Sequence, residues 1–137
     1  MPRLMGAIAL VAMLGACAQQ GTPTRQDLVA RGEYLVNGVA GCNDCHTPMT
    51  PQGPDMARAL HGAELPFEPM IEMPWAPIAP PIAGIPGHFT EEQFIVFLQT
   101  GVRPDGSHPR APMPPYRLNE DDARAVAAYI STVPRAP

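Results

Sequence analysis

Lysine is missing altogether from this chain: all nine basic residues are arginine, against thirteen acidic ones, for a formal net charge of −4. No basic run exists, so the sequence offers no footprint for a nucleic acid or another polyanion. Aromatic residues are scarce, at 6%. Cysteine occurs three times, too few for a disulfide framework, and an odd number leaves one thiol over in any simple pairing. Period-two alternation is absent, which excludes a sheet-based core, and no segment repeats. What the chain has in excess is proline, nineteen residues in 137, with twelve glycines. So much proline limits helices to a few segments joined by long irregular connections, within one domain. A small domain of this kind is stabilised where a covalent cofactor acts as a staple.

The first apolar run, Leu4 to Leu14, follows Arg3 and is too short to span a bilayer comfortably. It reads as the core of a secretory signal. The run ends in Leu14-Gly15-Ala16-Cys17, which resembles the lipobox of bacterial lipoproteins, in which the cysteine becomes the acylated N-terminus. The expected organisation is therefore a lipoprotein-type signal peptide over 1–16, a lipidated cysteine and tether over 17–24, and a folded domain over 25–137. The seven tether residues after Cys17 reach about 25 Å when extended, which keeps the domain close to a membrane. The expected location is the periplasmic face of a bacterial membrane. An ordinary signal peptide with a chance cysteine is the alternative reading of the same residues.

Thr24 and Asp27 have N-cap spacing, and the pattern predicts a helix running to about Asn37 with Leu28, Gly32, Leu35, Val36 and Val39 on one face. A glycine within a helix costs about 1 kcal/mol relative to alanine, so Gly32 points to a close helix crossing or is a tolerated surface glycine. From Thr47 to His88 no periodicity persists and ten prolines forbid any long helix; only Asp55 to His61 has the composition for a short one. A loop of that length inside a compact domain is expected where it wraps a ligand. Thr90 and Gln93 form a capping box for a second main helix, with Phe94, Phe97 and Leu98 as its buried stripe and Gly101 closing it. Asn119 caps the third, where Val126, Tyr129, Ile130 and Val133 share a face before Pro134. The expected fold class is all-α, three main helices with proline-rich loops.

Cys42-Asn43-Asp44-Cys45-His46 is the informative stretch. Two thiols at this spacing can each add across a haem vinyl group, and the adjacent histidine is then held beneath the iron as an axial ligand. A zinc site would need two further ligands, and no second cysteine pair exists. A thiol redox pair would sit in a βαβ pattern, which is absent. For the other axial position the candidates are Met49, Met56, Met70, Met73 and Met113, with His61, His88 and His108. A lone methionine is more often core filling than a ligand. Met113 differs, because Pro112, Pro114 and Pro115 fix the backbone around it and would present its thioether with little ordering entropy.

Taken with Arg31 to Val36, Thr100 to Gly106 and Asp121 to Ile130, the Cys42 and Met113 segments make residues 25–134 resemble a class I, monohaem c-type cytochrome. The resemblance is to the cytochrome subunits of bacterial periplasmic alcohol and aldehyde dehydrogenases. It implies a cytochrome c-like fold around one covalent haem c, bonded to Cys42 and Cys45, with His46 as proximal and Met113 as distal ligand. It also implies that Gly32 and Val36 cross against Val126 and Tyr129. A proline carbonyl after the motif should accept the His46 Nδ1 proton, with Pro51 and Pro54 as candidates. Trp75 and Arg103 could bond the haem propionates, or be a packed tryptophan and a solvated arginine. Without lysine, electrostatic docking of redox partners would fall to Arg103, Arg110 and Arg117, or docking would be mainly apolar. Histidine–methionine ligation raises the iron potential relative to bis-histidine and leaves no open position, which suits electron carriage rather than substrate conversion. The expected partners are a periplasmic dehydrogenase and the respiratory chain. A haem sensor or small peroxidase, with His61 or His108 on the distal side, is the competing expectation.

Overall fold

The computed structural model describes residues 21–135; the signal segment, Cys17 and the first part of the tether lie outside them. Helix α1 (Arg25–Tyr34) starts where its chemistry dictates: Thr24 and Asp27 form a complete capping box. The helix then continues as a π turn, Leu35–Val39, in which the Ala40 amide donates to the Leu35 carbonyl at 2.7 Å. The extra residue in that turn rotates Val39 off the buried face, and it is 60% exposed instead of packed. Gly41, in the left-handed region at φ 61°, opens the five-residue helix α2 (Cys42–His46).

Where no strand was expected, two short antiparallel ladders occur. Strands β1 (Met49–Thr50) and β2 (Gly53–Pro54) make one, and β3 (Ala63–Glu64) and β4 (Ile78–Ala79) the other. Two-residue strands carry no alternation to detect, so the description as purely helical is corrected on this point. The short helix expected over Asp55–His61 is a single 3₁₀ turn, Met56–Arg58, with Asp55 accepting from the Ala57 amide.

Helix α3 (Glu91–Thr100) has the expected Thr90–Gln93 capping box and ends on Gly101 at φ 70°. Helix α4 (Glu120–Thr132) is capped by Asn119, which accepts from the Asp122 amide, and three acidic residues occupy its first turn. Val133 caps its end and, half-buried like Tyr129, packs against the core as its stripe predicts. The core lies where α1, α3 and α4 meet: Leu35, Val36, Phe94, Leu98, Val126 and Ile130 are all buried. Gly32 permits the crossing, since a Cβ there would lie 2.0 Å from the Ala125 carbonyl oxygen and 2.7 Å from the Tyr129 Cβ. The crossing expected of Gly32 is therefore present. Among the described residues no helix is long and apolar enough to cross a membrane.

Candidate functional site

A cleft of about 780 Å³ separates the helical core from the proline-rich loops, within the range of cofactor sites. Phe94 and Phe97 form its rear wall together with Phe89, which stands edge-on to Phe94 at 5.6 Å between ring centroids. Cys42, Cys45 and His46 of α2 line one side, and Met113 lines it as well. Of the other candidate methionines, Met49, Met56, Met70 and Met73 are exposed and none lines the cleft. His61 turns away to the Pro134 carbonyl at 2.9 Å. His88 and His108 do line the cleft, but His108 Nδ1 is engaged by the Gly101 carbonyl at 3.1 Å.

Both cysteines are free thiols. Burial pushes the Cys42 thiol up to about 11 and raises that of Cys45 too. Among the described residues no cluster of three metal-binding side chains forms.

His46 is buried, and desolvation lowers its pKa against the opposing pull of its backbone hydrogen bond. The neutral imidazole is thereby favoured. Nδ1–H donates to the Pro80 carbonyl at 2.7 Å, which leaves Nε2 as the free electron-pair donor on the cleft wall. The carbonyl thus belongs to Pro80 and not to Pro51 or Pro54. Those two sit on the turn and end of the β1–β2 hairpin, exposed, and the chain must pass through the β3–β4 ladder before a proline reaches the imidazole. The route depends on Gly62, at φ 84°, whose amide donates to the His46 carbonyl at 2.7 Å; a Cβ there would lie 2.8 Å from Pro81 N.

Beneath α2 runs a polar chain that no local sequence pattern announces. The Asn37 amide donates to the Tyr129 hydroxyl at 3.4 Å, Asn43 donates to Asn37, and Thr47 donates to Asn43 Oδ1. The Thr47 hydroxyl in turn accepts from the Leu60 amide at 2.9 Å. Leu60 is fully buried at φ 61°, a costly conformation for leucine, and its carbonyl receives the Ile82 and Ala83 amides. Thr47 therefore ties the strained turn to the motif helix. Thr47→Val keeps the shape but strands the Leu60 amide and the Asn43 oxygen. It is expected to cost about 2–4 kcal/mol, read as a lower urea midpoint at unchanged slope.

These residues fit a flat, largely apolar ring with an iron at its centre: two thiols and an imidazole nitrogen on one wall, a thioether on another. Trp75, next to the cleft-lining Ala76, adds a second observation, because its buried Nε1–H has no partner among the described residues, as a donor to a propionate would. Arg103 lines the cleft, although its Nη1 already donates to the His108 carbonyl at 2.6 Å. A model of the cytochrome c family matches residues 29–134. The chain belongs to the cytochrome c family. Haem c, covalently bound, is the cofactor of that family, and Cys42, Cys45 and His46 carry its motif. This cytochrome is 33% identical over 135 residues to the fructose dehydrogenase cytochrome subunit of Gluconobacter japonicus, covering 93% of this chain and 26% of that one. It is 34% identical over 125 residues to the cytochrome c subunit of the quinone alcohol dehydrogenase of Gluconobacter oxydans, covering 80% and 24%. It is 27% identical to a nicotinate dehydrogenase subunit of Pseudomonas putida, with 86% of this chain and 10% of that one aligned. The chain thus spans about a quarter of the length of the first two relatives. Membership of the cytochrome c family makes it an electron-transfer haem protein.

Proposed function

We propose that this cytochrome carries one electron at a time from a periplasmic dehydrogenase to the respiratory chain, on a haem bonded to Cys42 and Cys45 and ligated by His46 and Met113. When bound, haem c supplies the one-electron iron couple. The residues do the rest. Pro80 holds the imidazole neutral with Nε2 directed at the cleft, and the prolines around Met113 present its thioether without a large ordering cost. With His46 and Met113 as its ligands, the group would keep no open site for oxygen or peroxide. Trp75 Nε1–H and Arg103 are assigned to the propionates. Arg103 and Arg110, which line the cleft, are the docking cations; Arg117 is exposed and does not line it. Cys17 is assigned the lipid that holds the domain to the periplasmic face of the membrane, and the dehydrogenase subunits named among the relatives point to a donor of that class.

One observation carries this reading: His46 and Met113 line the same apolar cleft as two free thiols, while the other candidate methionines do not. Met113→Ala is expected to abolish the far-red absorbance band of a thioether–ferric bond, lower the reduction potential and admit carbon monoxide to the reduced protein. A variant that keeps the band would show that another group holds the iron. Rapid carbon monoxide binding by the parent protein would instead support the sensor or peroxidase reading.

A further inference from the structure

Met113 lies on a strap, residues 109–118, that crosses the mouth of the cleft between α3 and α4. The strap is pinned near both ends. The Ala76 amide donates to the Ala111 carbonyl at 2.8 Å, and the Leu118 amide donates to the Leu98 carbonyl at 3.1 Å. Pro115 packs onto Gly101, where a Cβ would lie only 2.9 Å from the Pro115 Cβ. All these contacts reach α3 or the loop before it. The strap is tied to the segment carrying the cysteine motif through the Tyr116 hydroxyl, which donates to the Ala40 carbonyl at 2.6 Å, across 76 residues of sequence, and also meets the Cys42 thiol. Ala40 stands two residues before Cys42.

We propose that Tyr116 is the positioning residue for the Met113 thioether, a latch that fixes the distance between the strap and the haem-bearing helix. The proposal rests on the assignment of Met113 as distal ligand. Three prolines, at 112, 114 and 115, restrict the backbone on both sides of Met113, so the strap moves as one stiff piece. A stiff piece pinned along one wall can still pivot away from the other. The Tyr116 bond opposes that pivot, and the same hydroxyl stands against the Cys42 sulfur rather than against the Met113 thioether. Tyr116 is half-buried, and burial pushes its hydroxyl up to about 12, so the donor keeps its proton throughout the range in which the protein works.

The test uses the exported holoprotein with Tyr116→Phe, which removes the donor and keeps the ring. Covalent haem content and the resting far-red band should match the parent. Imidazole titrated into the ferric protein should displace the thioether at a concentration lower by about tenfold, the effect of one lost hydrogen bond. Leu28→Ala, which trims the core at a distance, should lower the melting temperature and leave the imidazole titration unchanged. If Tyr116→Phe titrates like the parent, or if Leu28→Ala shifts the midpoint equally, the latch is wrong. Met113→Ala, measured in parallel, separates the two assignments. Retention of the band there ends the ligand assignment and the latch together; loss of the band with an unshifted Tyr116→Phe midpoint ends the latch alone.

Discussion

Gly32→Ala is expected to destabilise the holoprotein by about 3 kcal/mol or more, far beyond the usual effect of adding one methyl group to a helix. On propensity alone the change should help by about 1 kcal/mol. The crossing reverses the sign. The new Cβ would stand 2.0 Å from the Ala125 carbonyl oxygen and 2.7 Å from the Tyr129 Cβ, and backbone cannot rotate aside as a side-chain tip can. Helices α1 and α4 must therefore separate by about 1 Å or more, which opens voids around Val36 and Val126, both buried to 1% exposure or less. The damage does not stop at the crossing. Tyr129 accepts from Asn37, Asn37 accepts from Asn43, and Asn43 lies inside the cysteine motif. A urea titration should show the lower midpoint, and an unaltered one would mean that the two helices are not held at this distance in solution.

The same glycine shows how much of the fold the sequence discloses. On spacing alone Gly32 stood open between a close crossing and a tolerated surface glycine, and the family resemblance decided for a crossing against Val126 and Tyr129. The caps were legible directly, because Thr24 with Asp27, Thr90 with Gln93, and Asn119 with Asp122 are bonds between residues three apart. The cysteine motif is contiguous, and Met113 stood out by its prolines. What stayed hidden depends on the path of the chain. Pro80 reaches His46 from 34 residues downstream, and Tyr116 reaches Ala40 across 76, so neither pairing leaves a local signature. Pro51 and Pro54 were nearer in sequence and wrong in space, because the β1–β2 hairpin carries them outward. Val39 was misplaced for a different reason: the spacing assumed about 3.6 residues per turn, and the π turn inserts one more.

Replacing both Cys42 and Cys45 by serine should have the largest effect of all, because it removes the bonds proposed to keep the cleft filled. Among the described residues no side chain fills that space. α3 and α4 stand on one side and the loops carrying Pro80 and Met113 on the other; a two-residue ladder and a few single hydrogen bonds hold those loops. If even a third of the 780 Å³ cleft lost its contacts, at about 24 cal/mol per Å³ the cost would be roughly 6 kcal/mol. Domain stabilities are about 5–15 kcal/mol in total, so the emptied cleft removes most of the margin. The double variant is expected to show no covalent haem on a denaturing gel and to lose its near-ultraviolet dichroism. Helical signal from α1, α3 and α4 should persist in part, since their caps and the Gly32 crossing do not involve the cleft. Proteolysis should begin in the segment between Gly62 and Phe89, which the occupant of the cleft would otherwise shield. Each single serine variant leaves one thioether, and should keep haem and most of the fold. A double variant that melted like the parent, free of haem, would show that the loops support themselves and that the cofactor contributes chemistry without contributing structure.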